Sequence, residues 1–426
     1  MIKELQKRPF ARPLLFWITG ILAETMLSCH AYSFILLLFP MGMATASCIG
    51  SKRRGAWRYG YRWTGGLSIL FLLLFLSVQS THYRAERRGE KPSVSVLLQW
   101  GEEKRQFLLK PFESLDLSGP EKAVLTTLTL GYRANMDRRV KKQFSMAGVA
   151  HILAVSGFHV AIVCGFLSLF FSVLPHYGWG KWIRYLGTVG LLWIFVIISG
   201  MAASALRAGL MLSLFLTGQV MERRSDRYNT LAASAFCMLA YQPSYLFDIG
   251  FQLSYLAVFF ILFLQPRLRK WISVRNPLLS VPWNWLTVSI AAQAGTVFLC
   301  LYYFGQFSSV FLLANLPLTL IATCLIPLTL VWMFLPVWFP GYEMLKQIVE
   351  ELTRSLLWIV DSFSSFSFST FTFRFDLFTM IGAYGILFLL FLFLIKKRPA
   401  YLLAALSVCL LLIGVKVITN FMRYEI

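Results

Sequence analysis

Charged residues are scarce in this sequence, and most of them are basic. Only 14% of its 426 residues are charged, against about 25% in a soluble globular protein. Lysine and arginine number 40 against 19 acids, so the formal net charge is +21. Five histidines and seven scattered cysteines form no CxxC or HExxH motif, and the sequence has no P-loop or GxGxxG string. We therefore expect no metal, no cofactor and no ATP-driven motor in this chain.

Apolar runs of about 20 residues recur along most of the chain, and 58% of all residues are hydrophobic. This pattern predicts an all-α polytopic membrane protein of roughly ten to twelve transmembrane helices, some of them broken. Basic residues concentrate at 52–62 and 267–275, which the positive-inside rule assigns to the cytoplasm together with the N-terminus. Residues 81–145 are then extracytoplasmic.

Composition divides the chain into four regions. They are N-terminal transmembrane helices (1–80), an extracytoplasmic region (81–145), a membrane core (146–340), and an amphipathic helix with C-terminal transmembrane helices (341–426).

The extracytoplasmic region contains two local patterns. Residues 93–100 and 105–110 flank Gly101 and predict a β-hairpin. Residues 121–144 predict an amphipathic helix that ends in a basic patch. That patch is either a phosphate-binding surface or an ordinary solvated helix end. Its members are Arg133, Arg138, Arg139, Lys141 and Lys142.

Polar residues interrupt the apolar run 149–174. At helical pitch Ser156 and His159 lie on one face, with His151 about 80° away. Gly157 would weaken a continuous helix by about 0.5–1 kcal/mol, which favours a break or a close backbone approach. Polar groups at membrane depth are costly and mark a bundle interior or a water-filled path. The alternative is that these small and polar residues only pack against neighbouring helices.

Two opposite charges follow in separate apolar segments. Arg207 lies in a run of small residues at 200–209, where two helices can approach closely. Asp248 is the only acid between residues 226 and 343, and Gln252 shares its helix face. Either Arg207 and Asp248 pair, or Arg207 faces a hydrated pore while Asp248 caps its helix.

Further along, Gln293 lies in a long apolar run, and Asn315 precedes Pro317. We expect Asn315 and Pro317 to unravel their helix and to expose backbone carbonyls. Five polar groups are predicted to converge on one buried site, since meeting one another is their least costly arrangement in lipid. They are His151, Ser156, His159, Arg207 and Asp248.

The string HILAVSGFHV at 151–160 resembles the signature of the ComEC/Rec2 family of bacterial competence proteins, and departs from it chiefly at Phe158. Further similar blocks lie at 200–209, 246–255 and 302–317, so the resemblance covers about residues 120–335. It implies an inner-membrane channel that takes up single-stranded DNA during natural transformation. It also implies that residues 81–145 are a reduced remnant of an OB-like domain.

Many members of that family carry a metallo-β-lactamase-like domain whose His-x-His-x-Asp-His cluster is absent here. We therefore expect no nuclease in this chain, and a separate cytoplasmic translocase and extracellular nuclease as partners. Two alternatives stay open at this point. One is an intramembrane hydrolase that uses Ser156 and His159, and the other is a permease for a substrate other than DNA.

Overall fold

A computed structural model describes residues 8–38, 40–42, 62–86, 96–153, 155–222, 226–272, 276–366 and 370–424. Within these ranges the chain is helical almost throughout. The first half contains α1 (Ala11–Leu27), α2 (Arg62–Glu86), α3 (Val96–Leu109), α4 (Gly119–Leu130), α5 (Arg138–Met146), α6 (Gly157–Phe170), α7 (Gly178–Ile198) and α8 (Ala203–Val220). Short 3-10 turns lie at Cys29–Ala31, Lys110–Ser114, Ala150–Leu153 and Phe171–Val173.

The second half contains α9 (Arg227–Tyr241), a 3-10 turn at Pro243–Phe247, α10 (Ile249–Trp271), α11 (Pro277–Tyr303), α12 (Phe311–Phe334), α13 (Tyr342–Ser364), α14 (Leu377–Lys396) and α15 (Pro399–Tyr424). Strands β1 (Gln306–Ser308) and β2 (Thr370–Thr372) pair antiparallel, with Phe307 opposite Phe371.

Eight helices of the described ranges are long and apolar enough to cross a membrane. The shorter apolar segment Gly157–Val173 adds to them. No residue of α14 is fully buried by protein, so much of its apolar surface is left for lipid. The all-α polytopic class is confirmed. The eight spans are Gly65–Glu86, Gly178–Ile198, Ala203–Val220, Ile249–Trp271, Leu279–Tyr303, Phe311–Phe334, Leu377–Lys396 and Pro399–Val417.

Three clusters of buried apolar side chains hold the helices together. The first joins α4, α5, α12 and α13 through residues such as Leu125, Phe144 and Trp332. The second joins α6, α7, α8 and α12, and Val160 is fully buried in it. The third joins α1, α9 and α10 around Ile21. Because α12 contributes to two clusters, it is the central packing element of the core.

The β-hairpin prediction is wrong, because residues 96–109 form α3. Gly101 is not a turn residue; a Cβ there would lie 2.7 Å from the Ile197 carbonyl oxygen, so the glycine permits close helix packing. The Glu102 carboxylate pairs with Arg105 and accepts a hydrogen bond from Gln106 one turn later, as side chains on a helix do. Residues 81–86 and 96–145 contain no strand that would support an OB-like remnant, and residues 93–95 lie outside the described ranges.

Three further expectations need correction. The predicted helix 121–144 is two helices, since α4 ends at Gly131 with φ +71° and α5 begins after Asp137. Helix α12 runs unbroken through Asn315 and Pro317, because packing within a helical bundle tolerates proline. Part of the basic loop 267–275 is the last turn of α10. The basic loop 52–62 lies outside the described residues up to its last member, where α2 begins.

Candidate polar core of the membrane domain

The signature segment is broken where glycine and serine interrupt its apolar residues. A 3-10 turn at Ala150–Leu153 comes first, and α6 begins at Gly157 after extended backbone at Ser156. At this break the Ser204 hydroxyl, near the start of α8, donates a hydrogen bond to the Val155 carbonyl. The small-residue run at 200–209 therefore supports the break directly. His151 and His159 do not share one helix.

Ser156 and His159 form the N-terminal cap of α6. The Ser156 backbone N–H donates to His159 Nδ1 at 3.0 Å, and the His159 backbone N–H lies 3.4 Å from Ser156 Oγ. The hydroxyl is also 3.1 Å from Nδ1. Reciprocal bonds of this kind are a capping box, with an imidazole in place of the usual glutamate or glutamine. Capping therefore accounts for the proximity of the serine and the histidine.

The start of the signature region is fixed against the turn after α11. Ser308 Oγ donates to the Met146 carbonyl at 3.1 Å. Gly148 has φ +76°, and a Cβ there would lie 2.6 Å from side-chain atoms of Ser308 and Phe311. Glycine is thus required at 148 by its backbone conformation and by the close contact. Sequence reasoning did not identify this role.

A chain of polar side chains links His151 to two other helices. The His151 imidazole lies next to the side chain of Asn315 on α12. Asn315 Nδ2 donates to Ser289 Oγ on α11 at 2.8 Å, and Thr319 Oγ1 donates to Asn315 Oδ1 at 3.2 Å. The first and fourth motif blocks are therefore in contact. Ser289 was missed because an isolated serine in an apolar run carries no distinguishing signal.

Arg207 on α8 is the most unusual charge in the described residues. Its side chain is 3% exposed, and Nη1 lies 3.9 Å from Asp248 Oδ1, at the outer limit of an ion pair. Within the described ranges its Nε and Nη1 are buried and make no hydrogen bond. Burying donors without acceptors is costly, so the site holds unused capacity to bind an anion or water.

Asp248 has two roles at once. Its Oδ1 accepts the Phe251 backbone N–H at 2.8 Å and so caps α10, while the same oxygen faces Arg207. The carboxylate is 46% exposed although its partner is buried. The two interpretations left open from the sequence, a cap and an ion pair, are therefore compatible.

Gln252 fixes the chain around this pair. Its Nε2 donates to the Leu246 carbonyl at 3.0 Å, and the Tyr303 hydroxyl donates to its Oε1 at 3.2 Å. Beside it in the 3-10 turn, burial raises the pKa of the Tyr245 hydroxyl, with Arg207 opposing the shift. Gln293 lies half-buried in the middle of α11.

The predicted site residues thus form three local groups. They are His151 with Asn315, Ser156 with His159 next to Gly157, and Arg207 with Asp248 and Gln252. Helix α8 contacts two of these groups, through Ser204 at the break and Arg207 at Asp248. Convergence of all five groups on a single site stays a prediction.

An exposed basic surface precedes the signature segment on α5. Arg138, Arg139, Lys141 and Lys142 are all exposed, whereas Val140 and Phe144 pack inward. Among the described residues none of these four cations has an ion-pair partner. The surface is free to attract polyanions.

These features define a multi-pass helical membrane protein whose motif blocks meet in a partly polar core. The chain belongs to the Competence protein family, whose model matches residues 128–398. The resemblance to the ComEC/Rec2 family is thereby confirmed. The protein is 30% identical over 205 residues, 48% of this chain, to ComE operon protein 3 of Bacillus subtilis (strain 168).

A second relative is an uncharacterized protein of Aquifex aeolicus (strain VF5), 29% identical over 159 residues, 37% of this chain. The chain spans 25% of the length of the Bacillus protein and 37% of the Aquifex protein. No solved structure matches it.

Proposed function

We propose that this protein forms a channel in the bacterial inner membrane that passes single-stranded DNA to the cytoplasm during natural transformation. Membership of the Competence protein family makes DNA the first cargo to test. The observation that carries the channel proposal is Arg207, a buried cation beside a helix cap, two of whose side-chain nitrogens have no hydrogen-bond partner among the described residues. A guanidinium presents a planar fork of donors that suits phosphate.

The path itself would be built from the breaks in helices. Extended backbone at Ser156, and the 3-10 turn before Asp248, are irregular segments inside an apolar bundle. Irregular backbone is tolerated in membranes where it lies against protein or lines a cavity that holds water. The residues that we assign to the lining of this path are His151, Ser156, Gly157, His159, Gln252, Gln293 and Asn315.

The basic surface of α5 would attract DNA to the mouth of the path. In the predicted topology the N-terminus is cytoplasmic and residues 81–145 are outside, so α5 begins at the extracytoplasmic face. Clustered cations raise the local concentration of a polyanion and make its binding strongly dependent on salt. A separate translocase in the cytoplasm and a separate nuclease outside would supply energy and the single strand.

The intramembrane hydrolase is the weaker hypothesis. The bonds between Ser156 and His159 are those of a helix cap, which explains why the pair is adjacent without a nucleophilic role. A permease for another anion would use the same arginine. The choice of cargo therefore needs a direct measurement.

The test is uptake of labelled DNA into a nuclease-resistant pool by a deletion strain complemented with variants. We expect Arg207→Ala to reduce uptake at least tenfold at an equal membrane level of protein. Arg269→Ala is the matched control, because Arg269 is exposed in the last turn of α10. Undiminished uptake in the His151→Ala, His159→Ala and Arg207→Ala variants alike would refute the proposal. Uptake that is independent of the gene would point to another cargo.

A further inference from the structure

Two histidines and a glutamate meet where α1 and α2 pack together, outside the residues matched by the family model. Glu24 is near the end of α1, His30 is in the 3-10 turn that follows, and His82 is in the last turns of α2. Their ligand atoms all lie within 4.8 Å of one another. No local sequence pattern indicates this cluster, because 52 residues separate the two histidines.

Both imidazoles face the same carboxylate oxygen. His30 Nδ1 and His82 Nδ1 are each 3.1 Å from Glu24 Oε1. The rings are stacked, with centroids 3.7 Å apart and planes inclined by 11°. Small side-chain rotations would bring two nitrogens and one oxygen onto a single ion with bonds of about 2.0–2.2 Å.

The glutamate provides an independent sign of a missing ligand. Its side chain is 7% exposed, and Oε2 is buried without a hydrogen-bond partner in the described part of the chain. A buried carboxylate oxygen that makes no bond is costly. A cation bound to this carboxylate would compensate the cost of burying its charge.

The surroundings fix the ligands and orient one of them. His82 Nε2 lies 3.3 Å from Glu86 Oε1, which leaves Nδ1 for a metal in the way that carboxylates orient metal-bound histidines. Gln79 Nε2 donates to the His30 carbonyl at 3.2 Å and holds the turn against α2. Ser77 Oγ donates to the Trp17 carbonyl at 2.6 Å and fixes the two helices one turn earlier.

From these contacts we propose that Glu24, His30 and His82 bind one divalent transition-metal ion of the zinc class. The ion takes two imidazole nitrogens and one carboxylate oxygen, which is a ligand set that suits zinc, and a fourth position stays open to water. Binding joins the end of α1 to the end of α2. It is independent of the proposed DNA path, since none of its residues belongs to the polar core.

The test is metal binding by the full chain in detergent, purified without a polyhistidine tag. We expect one equivalent of Zn²⁺ per chain by mass spectrometry and titration calorimetry, and Co²⁺ substitution should give visible ligand-field bands. Glu24→Gln and His82→Ala should each lose that equivalent. His176→Ala is the matched control and should keep it, because His176 is exposed and lies outside the cluster.

One further variant tests the site without removing any of its three ligands, so a loss of binding does not depend on misfolding. Glu86→Gln keeps all three ligands and should weaken Zn²⁺ binding about 10–100-fold, as loss of an orienting carboxylate does. Two results would overturn the proposal. One is wild-type protein that binds no Zn²⁺ in titration. The other is an equal metal content in wild type, Glu24→Gln and His82→Ala, which would mean adventitious surface binding.

Discussion

Replacing Asp248 by asparagine or by alanine separates the two roles of this side chain. Asparagine keeps the oxygen that accepts the Phe251 N–H, because Asn and Asp are about equally good N-cap residues. It removes the negative charge 3.9 Å from Arg207. Alanine removes both. A difference between the two variants therefore measures the cap, and the asparagine variant alone measures the charge.

The expected loss follows from the distance and the exposure. Two unit charges 3.9 Å apart interact by roughly 4 kcal/mol at an effective dielectric constant of about 20. Asp248 is 46% exposed, so solvent screens much of that attraction, and we expect a loss of about 1–2 kcal/mol for Asp248→Asn. Loss of the cap adds about 1 kcal/mol, which brings Asp248→Ala to about 2–3 kcal/mol.

The measurement is thermal unfolding of the detergent-purified protein, followed by the fraction that stays monodisperse after heating. Asp226→Asn is the matched control, since Asp226 also caps a helix and pairs at 3.3 Å with Arg8, which is 31% exposed whereas Arg207 is 3% exposed. It should change stability by less than about 0.5 kcal/mol. If Asp248→Asn unfolds at the wild-type temperature and only Asp248→Ala is destabilised, Arg207 does not depend on the carboxylate and the ion-pair reasoning is refuted.

Three other outcomes are expected. Gly148→Ala should prevent accumulation of folded protein, because its backbone is left-handed and a Cβ would lie 2.6 Å from Phe311 and Ser308. Gly190 has open space around it, so the control variant Gly190→Ala should accumulate normally on immunoblots. Arg138→Glu with Arg139→Glu should lower DNA uptake severalfold and weaken its salt dependence; unchanged uptake across a salt series would exclude the α5 surface. Arg133→Cys should react with an impermeant thiol reagent in intact cells, and labelling only after lysis would reverse the predicted topology.

Sequence reasoning succeeded where a pattern has one physical meaning. Long apolar runs specify membrane helices, and Gly157 marked a real break in the signature segment. The sequence left two arrangements open for Arg207 and Asp248, an ion pair and a helix cap, and the side chains lie 3.9 Å apart with Asp248 also capping α10. These inferences needed only local composition and the cost of burying polar groups.

It failed where long-range packing gives a residue its meaning. Gly101 in a polar stretch indicates a turn by local rules, yet it serves a close helix contact with Ile197. Pro317 indicates a break, yet α12 continues because its neighbours in the bundle support it. His30 and His82 come together only through the packing of α1 on α2. No local rule contains such contacts.

The small sheet of β1 and β2 sets an order for biosynthesis. Phe307 precedes Ser308, whose side chain bonds the Met146 carbonyl at the start of the signature region. The strand partner of Phe307 is Phe371, which is synthesised 64 residues later. The Gly305 carbonyl accepts the Phe373 N–H at 3.0 Å, so this turn too is completed from the C-terminal side. A nascent chain released before residue 370 would insert its central helices with these backbone groups unpaired. The turn after α11 is therefore completed only after Phe373 has been synthesised, when α14 begins to emerge.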